Sequence, residues 1–242
     1  MRRLTEGAQP AAPAAPAPLV SVVMPAFDEE AFIAEALRSV LAQTYHPVEV
    51  IVVDDGSGDR TAEIAQAHDV CLLRRPHLGA SAARNAGLAV ATGEYWTIFD
   101  ADDVMPPERL ARQVAHLEEH PELGMVLGLT EAFVTPGEPR PSHYNPVWDE
   151  GPYRGHPGTM LARRAVLQVV GPFDETLRLG EDVDWQARAK DAGVEAGQAD
   201  YVSLRYRIHR GNSSSDIRAN QLATLRVLRT SVRRRRATSA DD

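Results

Sequence analysis

Short apolar segments alternate with amphipathic helical segments along most of the chain. The segments LVSVVM (19–24) and VEVIVV (48–53) have the composition of buried strands, and VCLLR and EYWTIF repeat it. Between them, residues 29–43 place their apolar side chains on one helical face, and further helical patterns begin near Asp59 and at 107–120. Such alternation builds right-handed βαβ units. It predicts one α/β domain, Rossmann-like, with a mostly parallel central sheet flanked by helices.

Two further segments frame this domain, which we expect over residues 19–215. Residues 1–18 are rich in Ala and Pro, and we expect a disordered tail there. Residues 216–242 have the pattern of an amphipathic helix ending in the basic block Arg233 to Arg236. Such a helix can make peripheral contact with an anionic membrane, or it can be a packed helix with favourably placed cations. We favour the packed helix, because the apolar face looks short.

Composition excludes several classes of protein. A net charge of −8 over 242 residues argues against generic nucleic-acid binding, which needs a basic face. No apolar run approaches the roughly 20 residues of a membrane span. Cys71 is the single cysteine, so an intramolecular disulfide cannot form and a cytoplasmic setting is the default expectation. Because Cys71 lies in a predicted strand, we expect it to be buried.

Acidic residues directly follow three of the predicted strands. The sequences PAFDEE, DDGSGD and DADD each begin where an apolar segment stops. In open parallel sheets, ligands bind beyond the carboxyl ends of the strands. One acidic turn would be an ordinary polar loop, but three that converge on the same edge indicate a binding site.

Asp100 and Asp102 are two residues apart, so in extended backbone both carboxylates face one side while Ala101 points away. Carboxylate oxygens suit Mg²⁺ or Mn²⁺, and Mg²⁺ usually takes only one or two of them together with substrate phosphates. A metal–diphosphate complex would offset the repulsion among these acids. Asp103 either belongs to this cluster or caps the turn before Pro106.

Two other classes share parts of this pattern. The sequence VIVVDDGS is similar to the acidic pair of a response-regulator receiver domain, but that fold needs a lysine at a later strand end. Lys190 is the only lysine, and it lies within a helical pattern. A phosphatase of the haloacid dehalogenase type needs its acidic pair near the first strand with a threonine after it, which DADDVM does not provide. Both classes fit less well.

Five stretches in order resemble a family 2 glycosyltransferase with the GT-A fold. They are VSVVMPAFDEE, VEVIVVDDGSGDRT, LGASAARNAGLAVATGEYWTIFDADD, GPFDETLRLGEDVDWQARAKDAG and RYRIHRGNSSS. The resemblance extends over residues of about 19–212 and implies an inverting, Mg²⁺- or Mn²⁺-dependent enzyme. Such an enzyme moves a sugar from a nucleotide-diphosphate sugar, most often a UDP-sugar, to an acceptor. The acceptor can be a glycan, a lipid-linked glycan, a natural product or a peptide.

The resemblance also implies roles for individual residues. Asp182, after Glu181, is the expected catalytic base; Asp102 is the expected metal ligand, and His209 is expected near the metal or the phosphates. Arg84 either meets the nucleotide or is a surface residue of its helix. In the family, the acids corresponding to Asp100 and Asp102 form the DxD motif, and residues 100–102 are here named the DxD segment. Nucleotide contacts are implied for the first loop, the second strand end, one helix and the DxD segment: Pro25, Ala26, Phe27, Asp28, Asp54 or Asp55, Arg84, Asp100 and Ala101.

The segment from Glu131 to Gly158 is rich in proline, glycine and aromatic residues, and we expect it to begin the acceptor side. Its aromatic residues either stack on the acceptor or cover the sheet: Tyr144, Trp148 and Tyr153. Gly158 and Thr159 are candidates for lining the donor-sugar pocket. A non-catalytic nucleotide-sugar-binding protein is the alternative from another class; intact Asp102 and Asp182 argue against it.

Overall fold

The computed structural model describes residues 16–238, so most of the expected tail over 1–18 lies outside the described residues. The strands are β1 (Val20–Ala26), β2 (Val48–Asp54), β3 (Cys71–Arg74), β4 (Tyr95–Ile98), β5 (Met125–Phe133), β6 (Leu161–Arg163) and β7 (Ala196–Arg207). The α-helices are α1 (Ile33–Leu41), α2 (Thr61–Gln66), α3 (Ala80–Val90), α4 (Arg109–Glu119), α5 (Arg164–Val170), α6 (Glu181–Asp191) and α7 (Ile217–Thr238). Short 3-10 helices lie at Pro146–Glu150, Pro157–Thr159 and Ser213–Ser215.

The strands form one sheet of seven in the order β3-β2-β1-β4-β6-β5-β7. Strands β1 to β4 are parallel to one another, and β7 is parallel to β5. The short strand β6 runs antiparallel to both of its neighbours, β4 and β5. The predicted fold class, a mostly parallel sheet flanked by helices, is confirmed.

Two apolar layers cover the two faces of the sheet, because successive side chains of a strand point to opposite faces. In β1, Val22 belongs to the layer that contains α1 and α4, whereas Val23 belongs to the layer of α3, α5 and α6. Helix α3 approaches β1 closely at Gly87, where a Cβ atom would lie 2.3 Å from Cγ1 of Val23. A side chain at that position would push the helix off the sheet.

The buried Arg207 joins the end of β7 to the end of β4. Its Nε donates to the backbone oxygen of Asp102 at 2.7 Å, and its backbone N–H donates to the carboxylate of Asp103 at 2.8 Å. Its guanidinium also donates to Glu35 at 2.6 Å. Asp103 therefore has a structural role, because its carboxylate binds the backbone at the end of β7. These hydrogen bonds also place the residues after Arg207 beside the DxD segment.

Helix α7 lies against α6 through one face. Val227 is buried, and Ser231 Oγ and Arg234 Nε donate to the carboxylate of Asp191 at 2.8 and 2.9 Å. Across residues 16–238, no helix combines the length and the apolar content needed to cross a bilayer.

The expectation that Cys71 is buried is wrong: its side chain is exposed. The apolar composition of VCLLR suggested a strand covered on both faces, but β3 is the edge strand of the sheet and is only four residues long. Strand composition alone does not reveal position within a sheet.

Candidate functional site

A pocket of about 420 Å³ lies beyond the carboxyl ends of β1, β2 and β4. One side, here named the strand wall, consists of residues from the loops after these strands and from the start of α3. A second part of the lining, here named the helix wall, consists of residues 178–183 around the start of α6 and of Asn220 and Thr224 in α7. Among the predicted site residues, those that line the pocket are Pro25, Ala26, Phe27, Asp55, Arg84, Asp100, Ala101, Asp102 and Asp182.

Phe27 projects from the first loop of the strand wall with 42% of its side chain exposed. Its ring centroid is 4.1 Å from that of His77, which also lines the pocket. A large exposed aromatic ring at a pocket edge offers a stacking surface for a planar base. Sequence reasoning missed His77, because nothing in its spacing links it to Phe27.

Asp28 does not line the pocket, although it belongs to the same loop. It adopts a left-handed backbone conformation with φ of 56°, which Asp tolerates better than most residues. Its carboxylate accepts a hydrogen bond from the Gly58 N–H at 2.7 Å, and its own N–H donates to Ser57 Oγ at 3.0 Å. In this structure Asp28 therefore joins two loops of the strand wall.

The two acids that end β2 are both buried, and they differ in position. The Asp54 carboxylate accepts from the Ser57 N–H at 3.1 Å and lies outside the pocket lining. The Asp55 carboxylate lines the pocket and accepts from the N–H groups of Leu78 and Gly79 at 3.1 and 2.7 Å. Of the alternatives Asp54 and Asp55, only Asp55 reaches the pocket.

The DxD segment places two half-buried carboxylates in the pocket, Asp100 and Asp102. Asp102 Oδ2 lies 2.9 Å from His209 Nε2 and accepts from Asn212 Nδ2 at 3.2 Å. Because the Gly211 N–H donates to His209 Nδ1 at 3.2 Å, Nε2 carries the imidazole proton and donates it to Asp102. His209 thus contacts the predicted metal ligand directly.

Negative charge accumulates around this segment. Burial raises the pKa of Glu29 to about 8, and the charges of Asp102 and Asp100 add to the rise. Burial likewise raises the pKa of Asp103 well above its usual range, with further contributions from Asp102 and Asp100. A cation at this place would offset these repulsions.

Oxygen donors of this kind fit Mg²⁺ or Mn²⁺. Among residues 16–238, no three His, Cys, Asp or Glu side chains form a preassembled cluster around a metal position. Two carboxylates in a pocket are nevertheless sufficient for Mg²⁺, which completes its shell with waters and substrate phosphates. The residues that can hold the ion are Asp102 and, beside it, Asp100.

Arg84 connects the two walls of the pocket and is not a surface residue. It is 7% exposed; its guanidinium contacts the Glu181 carboxylate and lies 3.4 Å from Asp100 Oδ1. Burial alone would lower the pKa of Arg84, but Asp100 and Glu181 raise it, so the group stays charged. The pKa of Glu181 is raised by burial and lowered by Arg84, with a net rise.

Asp182 lies in the first turn of α6 and lines the helix wall. Gly180, in the left-handed conformation with φ of 76°, precedes this helix, and a Cβ there would lie 3.3 Å from the Ala223 Cβ of α7. The turn is therefore confined between α6 and α7. One oxygen of Asp182 accepts from the Val183 N–H at 2.6 Å, and the carboxylate is half-buried.

The segment before β6 supplies a pocket residue that sequence reasoning missed. His156 and Pro157 line the pocket, whereas Thr159 is fully buried and Gly158 packs beside His156. Burial lowers the pKa of His156, and its Nδ1 accepts from the Gly158 N–H at 3.2 Å. The neutral ring therefore presents Nε2–H as a donor.

The aromatic residues of the long segment lie outside the pocket lining. Tyr144 and Trp148 meet edge to face with centroids 5.4 Å apart, and both pack against the apolar core. Tyr153 pairs with Thr130 of β5 through two backbone hydrogen bonds of 2.8 and 2.9 Å. These three aromatic residues therefore cover the sheet and do not line the pocket as acceptor-stacking residues would.

Comparison with known proteins agrees with this architecture. The chain is 23% identical to TarS of S. aureus, whose structure with UDP-GlcNAc superposes with a TM-score of 0.69 over 89% of this chain and 66% of that one. It is 24% identical to the mannosyltransferase PcManGT of Pyrobaculum calidifontis, solved with GDP-Man and Mn²⁺, with a TM-score of 0.68 over 89% of this chain and 64% of that one. At such identities the likeness establishes the fold, which is that of the GT-A glycosyltransferases.

The family model for glycosyl transferase family 2 matches residues 21–171, more than half of the sequence. The chain belongs to this family. Glycosyltransferase GlyG of Streptococcus pneumoniae is 36% identical over 107 residues, which are 42% of this chain and 36% of that protein. The chain spans about a third of the length of several curated relatives that it matches. None of these matches tests the role of a single residue, so the roles of all the predicted site residues stay predictions; Asp182 and His209 also lie beyond the segment that the family model matches.

Proposed function

We propose that the chain is a metal-dependent, inverting glycosyltransferase that moves a sugar from a nucleotide-diphosphate sugar to an acceptor nucleophile. The observation that carries this proposal is the presence of Asp102 and Asp182 in the lining of one pocket, with Arg84 linking the acids next to them, Asp100 and Glu181. An acid cluster suited to a cation and a separate carboxylate are the two groups that such a transfer needs. A UDP-sugar is the simplest donor, and the single cysteine fits a cytoplasmic setting.

The strand wall binds the nucleotide part of the donor. The base stacks on Phe27, and Asp55, whose carboxylate also lies near His77 and Arg75, accepts a hydrogen bond from a base N–H. Asp100 accepts from a ribose hydroxyl while Arg84 fixes the orientation of its carboxylate. His156 Nε2–H is a donor toward the donor sugar or the acceptor.

The diphosphate lies at the DxD segment. Asp102, with Asp100 beside it, holds the divalent ion, and His209 orients the Asp102 carboxylate. When bound, Mg²⁺ or Mn²⁺ neutralises the charge that grows on the leaving diphosphate. The raised pKa values of Glu29 and Asp103 support this assignment, because beyond burial they reflect the charges of Asp102 and Asp100, which a cation would offset.

Asp182 accepts the proton of the attacking hydroxyl from the helix wall. Its hydrogen bond from the Val183 N–H fixes one oxygen and leaves the other for the acceptor. Glu181 is occupied by Arg84, so the two neighbouring acids have different tasks. One base and one in-line displacement invert the anomeric configuration, so an α-linked donor gives a β-linked product.

The test is a donor screen with purified full-length chain, started with UDP-GlcNAc and GDP-Man because two structural neighbours were solved with these donors. We expect one donor to release its nucleoside diphosphate in the presence of Mn²⁺ or Mg²⁺ and to be inert in EDTA. With an acceptor added, the anomeric coupling in the NMR spectrum of the glycoside product then reports stereochemistry, which the free sugar released by hydrolysis would lose by mutarotation. Retention of configuration, or equal release in EDTA, contradicts the proposed mechanism. Tight donor binding without turnover would favour the non-catalytic alternative.

A further inference from the structure

The outer face of α7 carries an apolar stripe that no part of the described chain covers. Its members recur at intervals of three to five residues and are between 39% and 54% exposed: Ile217, Leu222, Leu225, Leu228 and Val232. Scattered single exposed leucines are ordinary on protein surfaces, but five on one helical face are not. The inner face, with Val227 and Ser231, is the one that packs on α6.

Arginines border this apolar stripe. The helix contains seven arginines and no acidic residue, although the whole chain has a net charge of −8. Arg234 and Arg235 contact Asp191 of α6. The other five are exposed, and within residues 16–238 none of them forms an ion pair with an acidic side chain: Arg218, Arg226, Arg229, Arg233 and Arg236.

The apolar stripe and the exposed arginines together indicate what kind of surface covers the outer face of α7. A protein surface could cover the leucines, but only an acidic one would complement the five arginines, and α7 itself has no acid to offer a second copy of the helix. A bilayer with anionic headgroups satisfies both groups, because the apolar side chains enter the acyl boundary while arginine heads stay at the phosphates. We propose that the outer face of α7 docks the protein on an anionic lipid surface.

The expectation from the sequence that α7 is simply a packed helix therefore holds only for its inner face. The apolar face is not short, since it extends from Ile217 to Val232. The remaining edge of the helix lines the pocket through Asn220 and Thr224. Docking would place the helix wall next to the headgroups, which suits an acceptor carried by a lipid; that last point rests on the proposed function, whereas the docking itself does not.

Vesicle sedimentation with the full-length chain tests the docking without any assay of activity. We expect binding to vesicles with about 30% phosphatidylglycerol at about 0.1 M salt, and little binding to pure phosphatidylcholine or at about 0.5 M salt. Arg229→Gln with Arg233→Gln should lower the partition coefficient roughly 25-fold, or about 5-fold per arginine. The matched control, Arg38→Gln with Arg60→Gln, removes the same charge from exposed positions elsewhere and should change it less than 2-fold.

A second pair of variants tests the apolar stripe. Leu225→Gln with Leu228→Gln should lower the partition coefficient by roughly 10-fold or more, because two half-exposed leucines no longer enter the bilayer. Val90→Gln with Val169→Gln alters similarly exposed apolar residues elsewhere and should have no such effect. All four positions are exposed, so we expect unchanged thermal unfolding. Absence of binding by the parent, equal losses in the control variants, or a parent dimer that the leucine variant dissociates would each overturn the proposal.

Discussion

The two walls of the pocket carry similar acids but hold them in different ways. On the strand wall, Asp55 accepts from the N–H groups of Leu78 and Gly79, so nearby backbone fixes its position. On the helix wall, Glu181 is held by Arg84, a cation 97 residues away in the chain. The difference teaches that backbone N–H groups hold Asp55, whereas Glu181 depends on one long-range ion pair with Arg84. We therefore expect changes on the helix wall to have the larger effects.

The largest effect is expected on the helix wall at Asp182. Asp182→Asn should reduce turnover by roughly 10² to 10⁴, the usual contribution of a positioned base, and should leave donor affinity nearly unchanged. The measurement is steady-state kinetics beside calorimetric titration with the donor. Asp69→Asn, a change at an exposed position away from the pocket, is the control. If Asp182→Asn turns over a hydroxyl acceptor as fast as the parent does, Asp182 is not the catalytic base.

The connection between the walls is tested next, at Arg84. Arg84→Gln leaves Glu181 buried beside Asp100 without a cation, which should cost about 3–5 kcal/mol in the free energy of unfolding. Urea denaturation followed by circular dichroism gives this value. Adding Glu181→Gln should restore part of the loss, because the uncompensated charge is then gone. A loss below about 1 kcal/mol in the single variant would mean that the walls are held together by other contacts.

These two predictions concern residues that differ in how well the sequence alone could place them in the site. The acids at the ends of β1, β2 and β4 were predictable, because the alternating pattern places all three strand ends at one edge. The contact between Arg84 and Glu181 was not, because it joins residues that only the packing of α3 against the start of α6 brings together. The composition of the chain left Arg84 equally suited to a surface position, and burial alone decides between the two.

Other departures have similar physical causes. His77 and His156 enter the pocket from loops whose spacing carries no motif, and Glu29 acquires its raised pKa only from burial beside acids of another strand end. Strand β6 is three residues long and antiparallel, which is too short for a periodic signal. Cys71 was mistaken for a core residue because its strand has apolar neighbours but lies at the sheet edge.

A smaller effect is expected on the strand wall at Asp102. With ligand at about 100 times its dissociation constant, a nucleoside diphosphate with Mn²⁺ should stabilise the parent by about 2.7 kcal/mol, or roughly 5–10 °C in Tm. Asp102→Asn should lose this metal-dependent shift, while the protein without ligand keeps its Tm or gains slightly from the removal of a like charge. Thermal unfolding with nucleotide in Mn²⁺ and in EDTA measures both. Equal Mn²⁺-dependent shifts in variant and parent would exclude Asp102 as a ligand.

The smallest effect is expected at Phe27, at the exposed edge of the strand wall. Phe27→Leu should weaken nucleotide binding roughly 5-fold, or about 1 kcal/mol, because it removes stacking but keeps an apolar contact. Phe27→Tyr retains the ring and should bind as the parent does. Isothermal titration with the nucleoside diphosphate separates the three proteins. If Phe27→Leu binds as tightly as Phe27→Tyr, the base does not stack there.

The attachment of β7 to the DxD segment limits how short a fragment of this chain can be and still fold. The segment that the family model matches ends at residue 171, yet Arg207 anchors Asp102 and Asp103 from beyond that point. Strand β5 also relies on β7 as its partner from Met125 to Phe133. A fragment that stops at residue 171 would leave a bare sheet edge and an unanchored acidic loop, so we expect it to be insoluble or to recover its shape only by complementation with the remaining piece. We therefore expect the shortest fragment that folds on its own to be longer than the segment that the family model matches.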